Sequence, residues 1–139
     1  MKRIRLLILL GMVAVALPLG LLSGIAKATG SSGTTNQVSI NQYADYDLPS
    51  LLQVGLHVRC YGGVNGLVSV QVDQYPPETP YMVTFGSGSQ PVVCDGQSRS
   101  VGASIVGVGY DTGKALATAT LTTPSGTTVV KRWIIIRVV

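Results

Sequence analysis

From Leu52 to Cys60 every even position is apolar and every odd one is polar or glycine. That alternation sets one face of a strand in a core and the other in water. Leu67 to Gln74 repeats it, with Val68, Val70 and Val72 inward, and the Val64-Asn65-Gly66 run before it carries the Asn-Gly signal of a tight hairpin. Tyr81 to Phe85 reads as a further strand with Tyr81, Val83 and Phe85 on one face. Gly86-Ser87-Gly88-Ser89 reads as a hairpin loop, and Pro91 to Cys94 as a short strand closed by Asp95-Gly96. Val101, Ala103 and Ile105 continue the alternation. Asp111-Thr112-Gly113 turns into a strand whose Ala115, Ala117, Ala119 and Leu121 share one face, and Pro124-Ser125-Gly126 turns into the last strand, Thr127 to Val139. In that strand Trp133-Ile134-Ile135-Ile136 is apolar on both faces, which predicts a central strand buried on both sides. Lys131, Arg132 and Arg137 flank it as charged guards. The alternative is a strand offered to another chain.

No stretch after residue 28 shows the 3.6-residue apolar period of a helix. Seven or eight short strands, with turn signals every ~8–12 residues, predict an all-β fold, an antiparallel immunoglobulin-like β-sandwich over 37–139. A small barrel is the other arrangement. The immunoglobulin pattern is met only in part, because Trp133 follows both cysteines instead of lying between them.

The N-terminus has a different character. Met1 to Arg5 is cationic, Leu6 to Leu22 is apolar but broken by Gly11, Pro18 and Gly20, and Ala26-Lys27-Ala28 offers the small residues of a signal-peptidase site. Residues 1–28 are therefore expected to be a cleaved signal peptide, with an uncleaved anchor as the competing reading. Residues 29–36 follow as a flexible Gly/Ser/Thr-rich leader. The chain of 139 residues carries a formal charge of +4, and four of its ten basic residues lie in 1–28. The rest holds six basic and six acidic side chains. A neutral body of this size excludes a nucleic-acid-tracking surface and a multi-domain enzyme. After cleavage no stable membrane span is expected, and the protein is placed outside the cell or at its wall. Cys60 and Cys94 are the two cysteines, and in an exported chain they are expected to form one disulfide. Two lone Cys and a distant His fit no zinc spacing.

A catalytic search yields little. His57 is the single histidine, on the polar face of a strand, and no G-x-S-x-G elbow is present. The Gly86–Ser89 segment has no following helix to complete a phosphate cradle. The tyrosines say more, since all six lie in or beside predicted loops. If strands alternate up and down, Tyr43, Tyr46, Tyr75 and Tyr81 share one end with Asp45, Asp47, Asp73 and Glu78. Tyr61 and Tyr110 fall at the other end. Tyrosine gives contact area at low entropic cost. Tyr43, Asp45, Tyr46, Asp47, Tyr75, Glu78 and Tyr81 therefore form the candidate binding end, against the plainer reading that these rings cap the core. Ca²⁺ takes ~6–8 oxygens, and no twelve-residue calcium loop is present. No metal and no cofactor is expected.

Arg59-Cys60, Gly62-Gly63, the strand ending in Gln74, Gly86-Ser87-Gly88, Cys94-Asp95-Gly96 and the Gly113 to Ala119 run occur in that order. The pattern resembles small secreted actinobacterial proteins of unknown function over about Leu51 to Thr122. The resemblance implies an exported sandwich with one disulfide and no catalytic residues. A more remote resemblance is to neocarzinostatin-type carriers, which have two disulfides. The expectation is a secreted, non-catalytic binding or structural protein whose partner is a protein or glycan at the cell surface. A carrier or inhibitor that recognises a small molecule or an extracellular enzyme through its loops is the alternative.

Overall fold

The structure is a computed structural model that describes residues 35–79 and 83–139. The expected signal peptide over 1–28, nearly all of the expected leader over 29–36, and Tyr81 lie outside these residues. Every regular element among them is a strand: β1 (Gln37–Asp47), β2 (Leu51–Arg59), β3 (Asn65–Gln74), β4 (Thr84–Val93), β5 (Arg99–Val106), β6 (Gly113–Thr123) and β7 (Gly126–Val138). The strands do not form the expected sandwich. They close into a barrel in the order β1-β2-β5-β4-β3-β6-β7, and β7 returns to β1.

Two seams close it. β1 pairs antiparallel with β2, shifts register between Ile40 and Ala44, and from Tyr43 to Tyr46 also pairs parallel with β7. The other seam is the Ser87↔Val106 pair between β4 and β5. A sandwich and a small barrel share the same alternation along each strand. They differ in which edges meet, and the hydrophobic period carries no information on that.

The second seam explains why β4 is one strand where the sequence predicts two strands and a Gly-Ser hairpin. A Cβ on Gly88 would lie 2.2 Å from the Ser104 carbonyl oxygen, and one on Gly86 would lie 2.8 Å from Ile105 Cγ2. Glycine serves here to let two backbones approach. Merging the two expected strands reverses the direction of everything that follows. Tyr110 therefore sits at the same end as Tyr46, not at the opposite end with Tyr61. Their rings meet edge to face with centroids 5.6 Å apart.

The interior is filled by the even residues of β2 and β3 and by Ala103, Ile105, Leu121, Ile134 and Ile136, all essentially inaccessible. On β6 small alanines lie beside larger neighbours: Ala117 pairs with Val72, Ala119 with Val70 and Ala115 with Ile134. Alternating large and small side chains fill a narrow barrel. Each fully buried Ile contributes about 1.5–3 kcal/mol. β7 is bonded on both edges, as expected, but only Ile134 and Ile136 are core, while Trp133 faces out.

The ends are closed by polar contacts. At the lower end the Cys60–Cys94 disulfide is formed. Around it Gly63 N donates to Cys94 O at 2.8 Å, Gly96 N donates to Cys60 O at 2.8 Å, and Arg59 Nε donates to Gly96 O at 2.7 Å. The Arg99 guanidinium on Asp95 holds that carboxyl below its ordinary value, helped by the Gln97 N–H. At the upper end Gln74 is fully buried. Its Nε2 donates to Asp111 O at 2.7 Å and its Oε1 accepts from Asp111 N at 2.8 Å.

Tyr110 closes the same end, and its hydroxyl donates to Val72 O at 2.9 Å. Burial pushes its pKa up, and the charge of Asp73 and the neighbouring Tyr46 add to that. The native protein then keeps a proton that the unfolded chain releases. The corresponding stability is whole below the ordinary tyrosine value of 10.0 and is lost as pH rises past it. Tyr110→Phe is expected to flatten this alkaline decline. Urea midpoints on either side of that pH test it, and an unchanged slope in the variant refutes it.

Candidate functional site

The residues expected to form a binding end separate into three groups. Tyr46 is buried and structural, with its hydroxyl donating to Pro49 O at 2.6 Å. Asp47 is exposed at the end of β1, and half-buried Glu78 lies against Gly113. Tyr43 and Asp45 lie on the outside of the barrel wall, on β1, and Tyr75 immediately follows β3 with its ring beside Trp133 on that wall. Tyr81 lies outside the described residues.

Two surfaces emerge on that wall. The first is aromatic. The register sets Phe85 beside Asp73, Asp73 beside Leu116, and Leu116 beside Trp133, which makes one outward row across β4, β3, β6 and β7. At the usual ~4.8 Å between strands the row spans about 14 Å. Tyr75 extends it, with its ring centroid 6.5 Å from that of Trp133. Phe85 is 72% exposed, Trp133 59%, Tyr43 49% and Tyr75 40%. Exposed aromatic side chains gathered on one face, here with Asp73 and Leu116 between Phe85 and Trp133, mark interaction sites.

Sequence reading missed Phe85 and Trp133, the single Phe and single Trp of the chain. The parity of β7 held the signal: with Ile134 and Ile136 inward, Trp133 must point out.

The second surface is a cleft of about 630 Å³ around the β1 register shift, lined by Asn41, Gln42, Tyr43, Asp45, Gln53, Val54, Gly55, Gly102, Arg132 and Arg137. Its floor is the Gly55↔Gly102 pair of β2 and β5, where Gly102 leaves the backbone open and the Asn41 side chain lies over Gly55. Gln53 and Ser104 hydrogen-bond each other at one side, at 2.9 Å. Arg137 donates from Nε to Asp45 Oδ1 at 2.9 Å, and its guanidinium carbon stands 5.0 Å from the Tyr43 ring centroid. Arg132 Nη1 donates to Ile40 O at 2.6 Å, which fixes the guanidinium beside the bulge.

His57 is exposed, and its Nδ1 lies 3.1 Å from Ser100 Oγ. No carboxylate among the described residues hydrogen-bonds to it, so the pair lacks the third member of a hydrolytic triad. Among the described residues no group of three or more His, Cys, Asp or Glu side chains could hold a metal, and no helix is long and apolar enough to cross a membrane.

Fold and surface together define a small disulfide-bonded β-barrel with an aromatic outer face and a polar cleft at its shoulder. The chain matches no protein-family model and no curated protein.

Proposed function

We propose that this is a secreted, non-catalytic binding protein that recognises a glycan of the cell envelope or extracellular space. The observation that carries the reading is the exposed Phe85–Trp133 row, extended by Tyr75 at the end of β3, on the same barrel wall as a cleft of planar polar side chains. Sugar rings present C–H faces that stack on aromatic rings, and adjacent hydroxyls that pair with amide and guanidinium groups. Both kinds of group are needed, and both occur side by side here. The disulfide fits an oxidising compartment. The barrel interior is filled by its own side chains, so a ligand is met at the outer surface.

The test is a pull-down on insoluble wall polysaccharide, followed by titration of the solubilised glycan. Trp133→Ala and Tyr75→Ala are each expected to weaken binding on the order of tenfold, as truncated aromatic anchors do. Both side chains are exposed, so the melting temperature should hardly move. Retention of the glycan by the double variant at wild-type strength overturns the reading.

A further inference from the structure

The cleft at the β1 bulge goes beyond general glycan recognition, and we infer that it is a subsite for a carboxylate-bearing sugar, a uronic acid unit of an acidic glycan. The inference rests on the proposed glycan reading and adds the chemistry of the unit. The first ground is charge. The cleft is lined by two guanidinium groups, Arg132 and Arg137, against the one carboxylate of Asp45. Asp45 Oδ1 takes both Nε and Nη2 of Arg137, at 2.9 and 2.7 Å. Arg132 is held by a neutral backbone carbonyl, so its positive charge has no carboxylate partner among the described residues. An anion entering the cleft meets that uncompensated charge, and guanidinium groups favour carboxylates through paired N–H donors.

The second ground is shape. Asn41, Gln42 and Gln53 supply amides that both donate and accept, as a polyhydroxylated ring requires. Tyr43 supplies an exposed ring at the rim. At the floor the backbone of Gly102 is open, while the Asn41 side chain lies over Gly55. Gly55 is confined by Asn41, whose Nδ2 would lie 2.4 Å from an added Cβ, but a Cβ on Gly102 would meet nothing within 4 Å. The backbone of Gly102 is not in the left-handed region either. Neither packing nor backbone conformation calls for glycine there, while an open cleft does.

The register shift is the third ground. Bulges re-aim side chains next to functional sites, and this one interrupts the β1–β2 ladder between Ile40 and Ala44, where Asn41, Gln42 and Tyr43 line the cleft and Tyr43 opens the pairing with β7.

The experiment uses protein purified after expression of the full chain. It is titrated calorimetrically with polygalacturonate, with its fully methyl-esterified form and with a neutral glucan. Esterification keeps the ring and removes the charge. The acid form is expected to bind on the order of tenfold more tightly than the ester, and added salt should narrow the gap. Gly102→Leu, whose Cβ would meet nothing within 4 Å, is expected to fill the floor and abolish that preference while the melting temperature stays close to wild type. Arg132→Gln should remove the preference and leave neutral binding in place. Equal binding of acid and ester, or an unchanged preference in Gly102→Leu, overturns the subsite. If glucan binds and the acid shows no advantage, the subsite falls and glycan recognition stands. If none of the three polymers binds, the subsite falls together with the support for that reading.

Discussion

Replacing both Cys60 and Cys94 by alanine is expected to lower the melting temperature by about 10–20 °C. The cysteines are 34 residues apart in sequence, and the chain-entropy model assigns roughly 3–4 kcal/mol to a cross-link of that length. A domain of this size moves by several degrees for each kcal/mol, and the loss is a large share of the ~5–15 kcal/mol that holds such domains folded. The position adds to the effect. Both sulfurs are buried, and the peptide groups around them hold the β2–β3 and β4–β5 connections together. The same drop should appear when the wild type is melted in strong reductant. Circular dichroism melts of the double variant test this, and a shift of only a degree or two would sink it.

Gly88→Val should be nearly as damaging, although it adds atoms to a strand and valine favours strands. The added Cβ would meet the Ser104 carbonyl oxygen at 2.2 Å, its carbon at 3.0 Å and Ile105 Cα at 3.4 Å. All three are backbone atoms, which no rotamer change can move aside. Overpacking typically costs about 1–3 kcal/mol, and a clash with backbone belongs at the upper end. The damage should be local first. Ser87↔Val106 is the one ladder pair joining β4 to β5, so amide exchange should accelerate there before the β6–β7 pairing loosens. A variant that melts like wild type, with unchanged exchange along β4 and β5, contradicts this account of the closure. Gly102→Leu, expected to be tolerated, is its internal control, since the two glycines differ in what lies above them and not in residue type.

These glycines also show how far the sequence could be read. Alternation placed the inward faces of β2, β3 and β6 correctly, because one buried face forces a period of two. The expected export signal, with two cysteines in the chain, made Cys60 and Cys94 an expected pair, which the structure contains. Alternation failed where meaning depends on a strand distant in sequence. Gly86-Ser87-Gly88-Ser89 has the composition of a turn, and only the crossing of β5 makes it strand. That one error split β4 and carried Tyr110 to the wrong end. Barrel closure was illegible for the same reason, since nothing in β1 says that β7 will lie beside it.

The candidate site was legible in part. Tyr43, Asp45 and Tyr75 were singled out and do reach the outer wall. Tyr46 was singled out with them and is core, because proximity to a loop does not report burial. Arg132 was read as a guard of an apolar strand, and its place in the cleft depends on the bulge in β1. The residues of the Arg59-Cys60 to Cys94-Asp95-Gly96 sequence pattern have structural work in the fold. Arg59, Cys60, Cys94 and Gly96 knit the lower end, Gln74 ties down Asp111, and Gly86 and Gly88 admit β5. A pattern of this kind reports architecture and leaves the ligand to residues outside it.

The parallel pairing of β1 with β7 has a consequence in time. Asp45 and Arg137, which meet across it, are 92 residues apart. A chain emerging from a ribosome or a translocation pore presents β1 first and β7 last, so the first strand must wait for the final one before its second edge is satisfied. Contacts of such long sequence separation form late and slow folding. The barrel is therefore expected to close only after β7 has been made, when its first and last strands pair.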